Sequence, residues 1–446
     1  MQHLLSPADR PVFPSGAAGP LGETALRAAL HVAGRLKDPE RAAQAAAIAT
    51  TQSRFPEFGR WSAPSLAQGN AGLGLLWAYL DACFPGEGWD VIGKTHLQLA
   101  VRAAEMEQVP GPALFSGLSG LAFAGWQLSR DGARYQRLLA SLDEAIAHDA
   151  LLIASRVRAS RGCSPGDFDV ISGLSGIGAY LLCRRDQPAA SFALAHTVDA
   201  LIALATRDAL LPAWYTPPEL LYDDAARQSY PNGNLNCGLA HGAPGILAFL
   251  ALVREAGLGF DRLDEAIVTT ADWLCAHHLV DTWGVTWPTA VHLEEDRTIE
   301  GGARMRAGDL ATVPFGPSRT AWCYGSPGVA RSLWLAGRAL DRSDYRDLAI
   351  AAMEAVFRRP VATRSIDSPS FCHGVAGLLA ITLRFARETG LPVFIRESQT
   401  LVEQLLGSFQ PESLLGFRTI EYESNQTDQP GLLDGAAGVA IVLLAA

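Results

Sequence analysis

The chain has 446 residues, of which 49% are hydrophobic, enough for a large core. Its 36 basic and 46 acidic side chains leave a net charge of −10. That excludes nucleic acid as the default partner, because phosphate binding needs concentrated basic surface. Seven irregularly spaced cysteines are no disulfide framework and point to reduced thiols in the cytosol. No uninterrupted apolar run of about eighteen residues marks a transmembrane helix. The N-terminus, Met1 to Arg10, lacks the basic-then-apolar order of a signal peptide.

Residues 1–20, punctuated by Pro and Gly, read as an extended N-terminal segment. From Gly22 to Gln52 an Ala-rich run with Leu26, Ala29, Leu30 and Ala33 at helical spacing predicts a first helix. A frame then begins to recur. Gln68-Gly69-Asn70-Ala71-Gly72-Leu73 is followed by copies beginning at Ser116, Ser172, His241, Tyr324, His373 and Asp434. Seven copies of x-Gly-x-x-Gly-apolar, each opening an apolar helix, form an internal repeat. Between them lie amphipathic stretches at 94–107, 134–158, 189–208, 262–278, 343–358 and 393–409, seven with the first helix.

Apolar helices belong inside and amphipathic ones outside. The expected fold is therefore all-α, an α/α toroid of seven inner and seven outer helices in one domain over 1–446. The Gly pairs suit tight entry turns, where small residues let neighbouring helices approach closely. The inner-helix N-termini would gather at one end, so the residue before each first Gly would face a common cavity. Two connections are oversized: 209–240, rich in Pro, Tyr, Trp and Asn, and 281–321, with Trp283, Trp287 and Glu294-Glu295-Asp296-Arg297. Loops of this length and aromatic content are expected to form a lid or binding rim.

In the first two copies the residue ahead of the Gly, Gln68 or Ser116, reads as a helix cap. Three others carry metal-binding side chains: His241 before Gly242, Cys323-Tyr324 before Gly325, and Cys372-His373 before Gly374. A lone buried Cys is usually a small hydrophobe, but Cys and His recurring in one slot of successive repeats make a metal site. Cys323, Cys372 and His373 are the expected ligands. Two thiolates and an imidazole select zinc, one ion with its fourth position open. Two thiolates also blunt the ion's charge, so the site suits activation of a thiol better than generation of hydroxide. Cys237 is left out so that the fourth position stays open. Cys83, Cys163, Cys183 and Cys275 read as packing or surface thiols, and His277-His278 as the cap of an outer helix.

Four segments carry a resemblance: Asp169-Val170-Ile171-Ser172-Gly173-Leu174-Ser175-Gly176-Ile177, Gly238-Leu239-Ala240-His241-Gly242, Trp322-Cys323-Tyr324-Gly325 and Cys372-His373-Gly374. In this order, over nearly the whole chain, they resemble the lanthionine synthetase C-like family, the cyclases of lanthipeptide biosynthesis. The resemblance implies a Michael-type addition of a precursor-peptide cysteine thiol to a dehydroalanine or dehydrobutyrine, giving a thioether ring. It implies zinc at Cys323, Cys372 and His373, and proton transfer by His241. Asp169 and Arg319 match further active-site positions, Arg319 at the enolate oxygen, while Trp322 and Tyr324 line the site. The residues by themselves leave bland roles open: Asp169 stands where acids favour a helix start, and Arg319 can pair with an acid of the 281–321 loop.

The implied partners are a dehydrated lanthipeptide precursor peptide and the dehydratase and transporter of the same pathway. The expected location is cytoplasmic, with membrane association only through such a complex. The stretch 83–116 is too short for the small inserted domain of the family's type cyclase, so leader-peptide binding falls to the two long loops. Rival readings are addition of a small thiol such as glutathione, a zinc- and peptide-binding scaffold without turnover, and a zinc prenyltransferase subunit. The last requires an Asp ligand, which the Cys and Cys-His motifs do not contain.

Overall fold

The computed structural model describes residues 19–56, 60–106, 111–160, 162–207, 211–293 and 318–446. In chain order the described helices are α1 Pro20–Leu36, α2 Pro39–Gln52, α3 Asn70–Cys83, α4 Trp89–Met106, α5 Leu118–Gln127 and α6 Gln136–Ala159. They continue with α7 Pro165–Phe168, α8 Leu174–Cys183, α9 Pro188–Thr206, α10 Asp224–Ser229, α11 Ala243–Glu255 and α12 Leu263–Ala276. The last are α13 Ser326–Ala339, α14 Ser343–Arg358, α15 Val375–Thr389, α16 Pro392–Gly407 and α17 Ala436–Ala445. Each of the seven repeats opens a helix, at α3, α5, α8, α11, α13, α15 and α17. The predicted first helix is two: Pro39 lacks an N–H and ends α1, while Asp38 caps α2 by accepting from the Glu40 N–H at 3.0 Å. Of the expected extended segment, residues 1–18 lie outside the described residues.

The helices form two compact units, Met1–Glu144 with Val361–Ala446, and Ala145–Pro360. In the first, the repeat helices pack side by side in the order α15, α17, α3, α5, with α16, α1 and α4 against α15, α17 and α3. In the second, α8, α11 and α13 pack side by side, with α9, α12 and α14 against them. The apolar-amphipathic alternation thus holds within each unit. Repeat helices are buried over most of their length, as α3 is from Asn70 to Trp77. The companions bury one stripe: α1 buries Ala25, Ala28, Ala29, Val32, Ala33 and Leu36, one face at helical period. One described helix, α9, is long and apolar enough to cross a membrane. It instead buries Ala193, Leu194, Val198 and Leu201 within its unit, against α8 and α12.

The Gly pairs make tight entry turns, as expected, and the first atom they make room for is the chain's own. A Cβ on Gly374 would collide with the Ser368 carbonyl, and one on Gly120 with the Leu114 carbonyl. The chain's own entry loop, six residues upstream, curls over the helix start, and the second Gly also faces the neighbouring repeat's turn: a Cβ on Gly120 would stand 2.7 Å from the Leu66 Cβ, and one on Gly328 2.7 Å from the Leu239 Cβ. Gly325 is doubly constrained, with φ at 108° and the Arg319 carbonyl where its Cβ would stand. Gly325→Ala is expected to cost about 3 kcal/mol through backbone strain and the clash. The check is the melting temperature, which should fall by several degrees; a wild-type melt would contradict this account.

The two oversized connections pair with each other. Strand β1, Asn234–Asn236, runs antiparallel to β4, Ala290–His292, with Asn234 opposite His292 and Asn236 opposite Ala290. Between them β2, Leu279–Asp281, and β3, Gly284–Thr286, form a hairpin. It is held by the buried Arg359, which ion-pairs with Asp281 and lies 4.5 Å over the Trp283 ring. The acidic run Glu294-Glu295-Asp296 lies outside the described residues.

Candidate active site

The entry turns are stitched together at one repeat position, two residues ahead of the first Gly. In the first unit the Cys372 N–H donates to the Leu433 carbonyl at 2.8 Å and Leu433 N–H to Ala67 at 3.1 Å. Ala67 N–H donates in turn to Phe115 at 2.9 Å. In the second unit the Ala240 N–H donates to the Cys323 carbonyl at 3.2 Å. Cys323 and Cys372 therefore occupy the rung itself, with its backbone fixed by the ladder. His241 and His373 stand one residue further on in the repeat, the position that Tyr324, Asp434 and Gln68 hold in their own copies. The repeat reading put Cys and His in one slot; the structure separates them by one residue.

In the first unit Cys372, His373 and Asp434 offer donor atoms that all lie within 4.8 Å of one another. His373 Nδ1 is 3.5 Å from Asp434 Oδ1. The other carboxylate oxygen, Oδ2, accepts from Gln68 Nε2 at 3.1 Å. Thr419 Oγ1 donates to the Asp434 backbone carbonyl. Asp434 Oδ1 is buried and lacks a hydrogen-bond partner, so an acceptor is left over beside a thiol and an imidazole. Burial pushes the Asp434 carboxyl above the usual carboxylate range, against the pull of His373 and the Gln68 amide. Sulfur and nitrogen donors, partly open to solvent and backed by a spare carboxylate oxygen, fit a zinc ion.

The second unit holds the other expected residues. His241 Nδ1 meets Asp169 Oδ2 at 2.5 Å, with the His side chain 38% exposed and the Asp 2%. Asp169 Oδ1 accepts from the Ser172 and Gly173 N–H groups at 2.6 and 2.9 Å. Asp169 is thus both the cap of the α8 entry turn and the partner of His241. The turn reaches the His241 loop through the Val170 N–H, which donates to the Ala240 carbonyl at 3.1 Å.

Tyr324 lies against Gly238, where a Cβ would strike its ring. Its hydroxyl accepts from Asn236 Nδ2 at 3.1 Å, and its ring centre is 6.2 Å from that of His241. Burial pushes the Tyr324 phenol up, so it stays protonated and keeps an O–H to donate. Cys323 and Trp322 are buried in the same turn, and the Arg319 side chain is exposed. Of the acids of the 281–321 loop, Asp281 pairs with Arg359, and the others lie outside the described residues.

Of the remaining thiols, Cys163 and Cys237 are buried and Cys83, Cys183 and Cys275 half-buried. Cys237 is buried, its Sγ directed at the Leu235 carbonyl, and burial pushes it up to about 12. Cys275 is pushed to about 11 for the same reason. His277 and His278 Nδ1 each take a 2.6 Å contact to a carbonyl of the last α12 turn, the expected capping role.

A family model described as "Lanthionine synthetase C-like protein" matches residues 60–446, through both units. The chain belongs to the lanthionine synthetase C-like family. It is 28% identical over 313 residues to the nisin biosynthesis protein NisC of Lactococcus lactis subsp. lactis, covering 68% of this chain and 70% of NisC. A solved structure of nisin cyclase superposes with a TM-score of 0.71 at 24% identity, covering 89% of this chain and 92% of that one. The likeness assigns this lanthionine synthetase C-like protein the helical toroid fold that its seven repeats predict.

Two residues of this family member escaped the sequence reading. Gln68 forms no helix cap, since Gly69 stands at the α3 N-cap without a side-chain bond and the Gln68 amide goes to Asp434. Asp434 was visible as the residue ahead of the seventh Gly pair, in the slot held by His373 in the sixth. Aligning the copies by slot, and asking what each slot carries, is the signal that finds both.

Proposed function

We propose that this protein is a zinc-dependent lanthipeptide cyclase working as a single lanthionine synthetase C-like domain. The observation that carries the reading is Cys372-His373 in a compact donor group, within a family of cyclases. Cys372 and His373 with Cys323 would hold one zinc ion. Bound there, it would supply the positive charge that lowers the pKa of a substrate cysteine thiol.

The chain's own residues account for the proton steps. The sulfur adds to the β-carbon of a dehydroalanine or dehydrobutyrine, and the electron pair moves onto the carbonyl oxygen as an enolate. A proton delivered to the α-carbon completes the ring. The net change is S–H added across C=C, with no oxidation or reduction. His241 Nδ1–H is held by Asp169, which leaves Nε2 as the nitrogen that exchanges the proton. Tyr324, kept neutral by burial, and Arg319 are the donors assigned to the enolate oxygen. Trp322 walls the site.

The substrate is a dehydrated lanthipeptide precursor, supplied by a dehydratase and passed to a transporter of the same pathway in the cytoplasm. The paired long loops take the peptide's leader. Reconstitution tests the reading. Zinc-loaded protein mixed with the dehydrated, Cys-containing precursor should remove free thiol, followed by alkylation and mass spectrometry. Thiols that persist in the precursor overturn it; uptake of added glutathione into the peptide in place of rings would also overturn it.

A further inference from the structure

We propose that Asp434, held by Gln68, is the positioning residue of the metal-binding imidazole of His373; this rests on the zinc reading above. Three successive entry turns in the packing order α15, α17, α3 place His373, Asp434 and Gln68 at one repeat position. Gln68 is 5% exposed and donates to Asp434 Oδ2 at 3.1 Å, which fixes the carboxylate's rotation. The backbone is fixed too. The Leu433 carbonyl accepts from the N–H groups of Phe371 at 3.0 Å and Cys372 at 2.8 Å.

The carboxylate therefore has one free oxygen, Oδ1. It is buried, has no hydrogen-bond partner, and faces His373 Nδ1 at 3.5 Å. A buried carboxylate oxygen left unpaired is costly, and the ring N–H of His373, 3.5 Å away, is a donor placed to satisfy it. With its proton on Nδ1, the imidazole presents Nε2 to the metal. Carboxylate–histidine–zinc arrangements work this way, and loss of the outer partner lowers metal affinity about 10–100-fold. Gln68 acts one step further out, as the brace that stops the carboxylate turning away.

The test is zinc affinity by chelator competition on the full chain, with cobalt absorption of the substituted protein as a second readout. Asp434→Ala should weaken zinc by about 10–100-fold and leave the cobalt–thiolate bands in place. Asp434→Asn, whose amide oxygen still accepts, should recover part of the affinity, and Gln68→Ala should lose only a few-fold. A purely structural role would lower the apo melting temperature without this graded order. Unchanged affinity in Asp434→Ala overturns the proposal while leaving the zinc reading intact. Cobalt bands that shift to a new coordination number in Asp434→Ala also overturn it, since Asp434 would then be a ligand. A wild-type protein that binds no zinc fails the functional reading itself.

Discussion

A Cys372→Ala protein is expected to purify without zinc and to leave the precursor's thiols open to alkylation. The size of the effect follows from the donor set. In the proposed ligand set Cys372 supplies one of two thiolates, and an outer-shell partner alone is worth about 10–100-fold in metal affinity. Loss of a thiolate ligand should therefore exceed about 100-fold. The fold should survive, because position 372 is held by its backbone N–H to the Leu433 carbonyl at 2.8 Å and alanine keeps that bond. Cys323→Ala should behave alike, its carbonyl still receiving the Ala240 N–H. Cys237→Ala is the contrast: it opens a small core void and keeps the zinc. Metal analysis beside thermal melts checks all three. A zinc-replete Cys372→Ala protein would sink the proposed ligand set.

The repeat was legible because its physics is local. Each entry turn needs glycine where the loop's carbonyl crosses the helix start, and the period of the apolar helices follows directly from the packing they serve. Gly374 and Gly120 show this through the Ser368 and Leu114 carbonyls. Helix ends came through well, as at Ser343–Arg358, but the break at Asp38-Pro39 was missed although both residues signal it. Alanine periodicity carried the prediction across a proline that removes the donor. The short ladder between β1 and β4 was not legible, since three-residue strands in aromatic loops have no period to read.

Site residues divide on the same line. Cys372-His373 stands out by chemistry alone, whereas Gln68 and Asp434 are ordinary polar residues that gain meaning only from the slot they share. Asp169 shows the limit of choosing between roles. Its two carboxylate oxygens do different things, one capping the turn to α8 and one holding His241. A single sequence position cannot display that division, because it depends on the rotation of one side chain.

His241→Asn is expected to keep full zinc and to lose about 10²–10⁴ of its ring-forming rate, the usual worth of a positioned acid or base. The metal should stay because His241 is held by Asp169 and stands in a different entry turn from the Cys372-His373 group. Asp169→Asn separates the imidazole's orientation from its presence. The Asn oxygen can still accept from the Ser172 and Gly173 N–H groups, so the α8 turn is kept. Its amide N–H₂ then faces His241 Nδ1 and forces the proton onto Nε2, the wrong tautomer for exchange. The triad aspartate of serine proteases loses about 10⁴ in turnover from the same change, and a partly exposed imidazole should lose less, roughly 10²–10³. Asp169→Ala removes the cap as well, adding about 1 kcal/mol of destabilisation. Single-turnover ring formation, zinc content and thermal melts on the three variants separate these effects. Asp169→Asn with wild-type turnover would leave the carboxylate only its capping role, and metal loss in His241→Asn would move that residue from proton transfer to ligation.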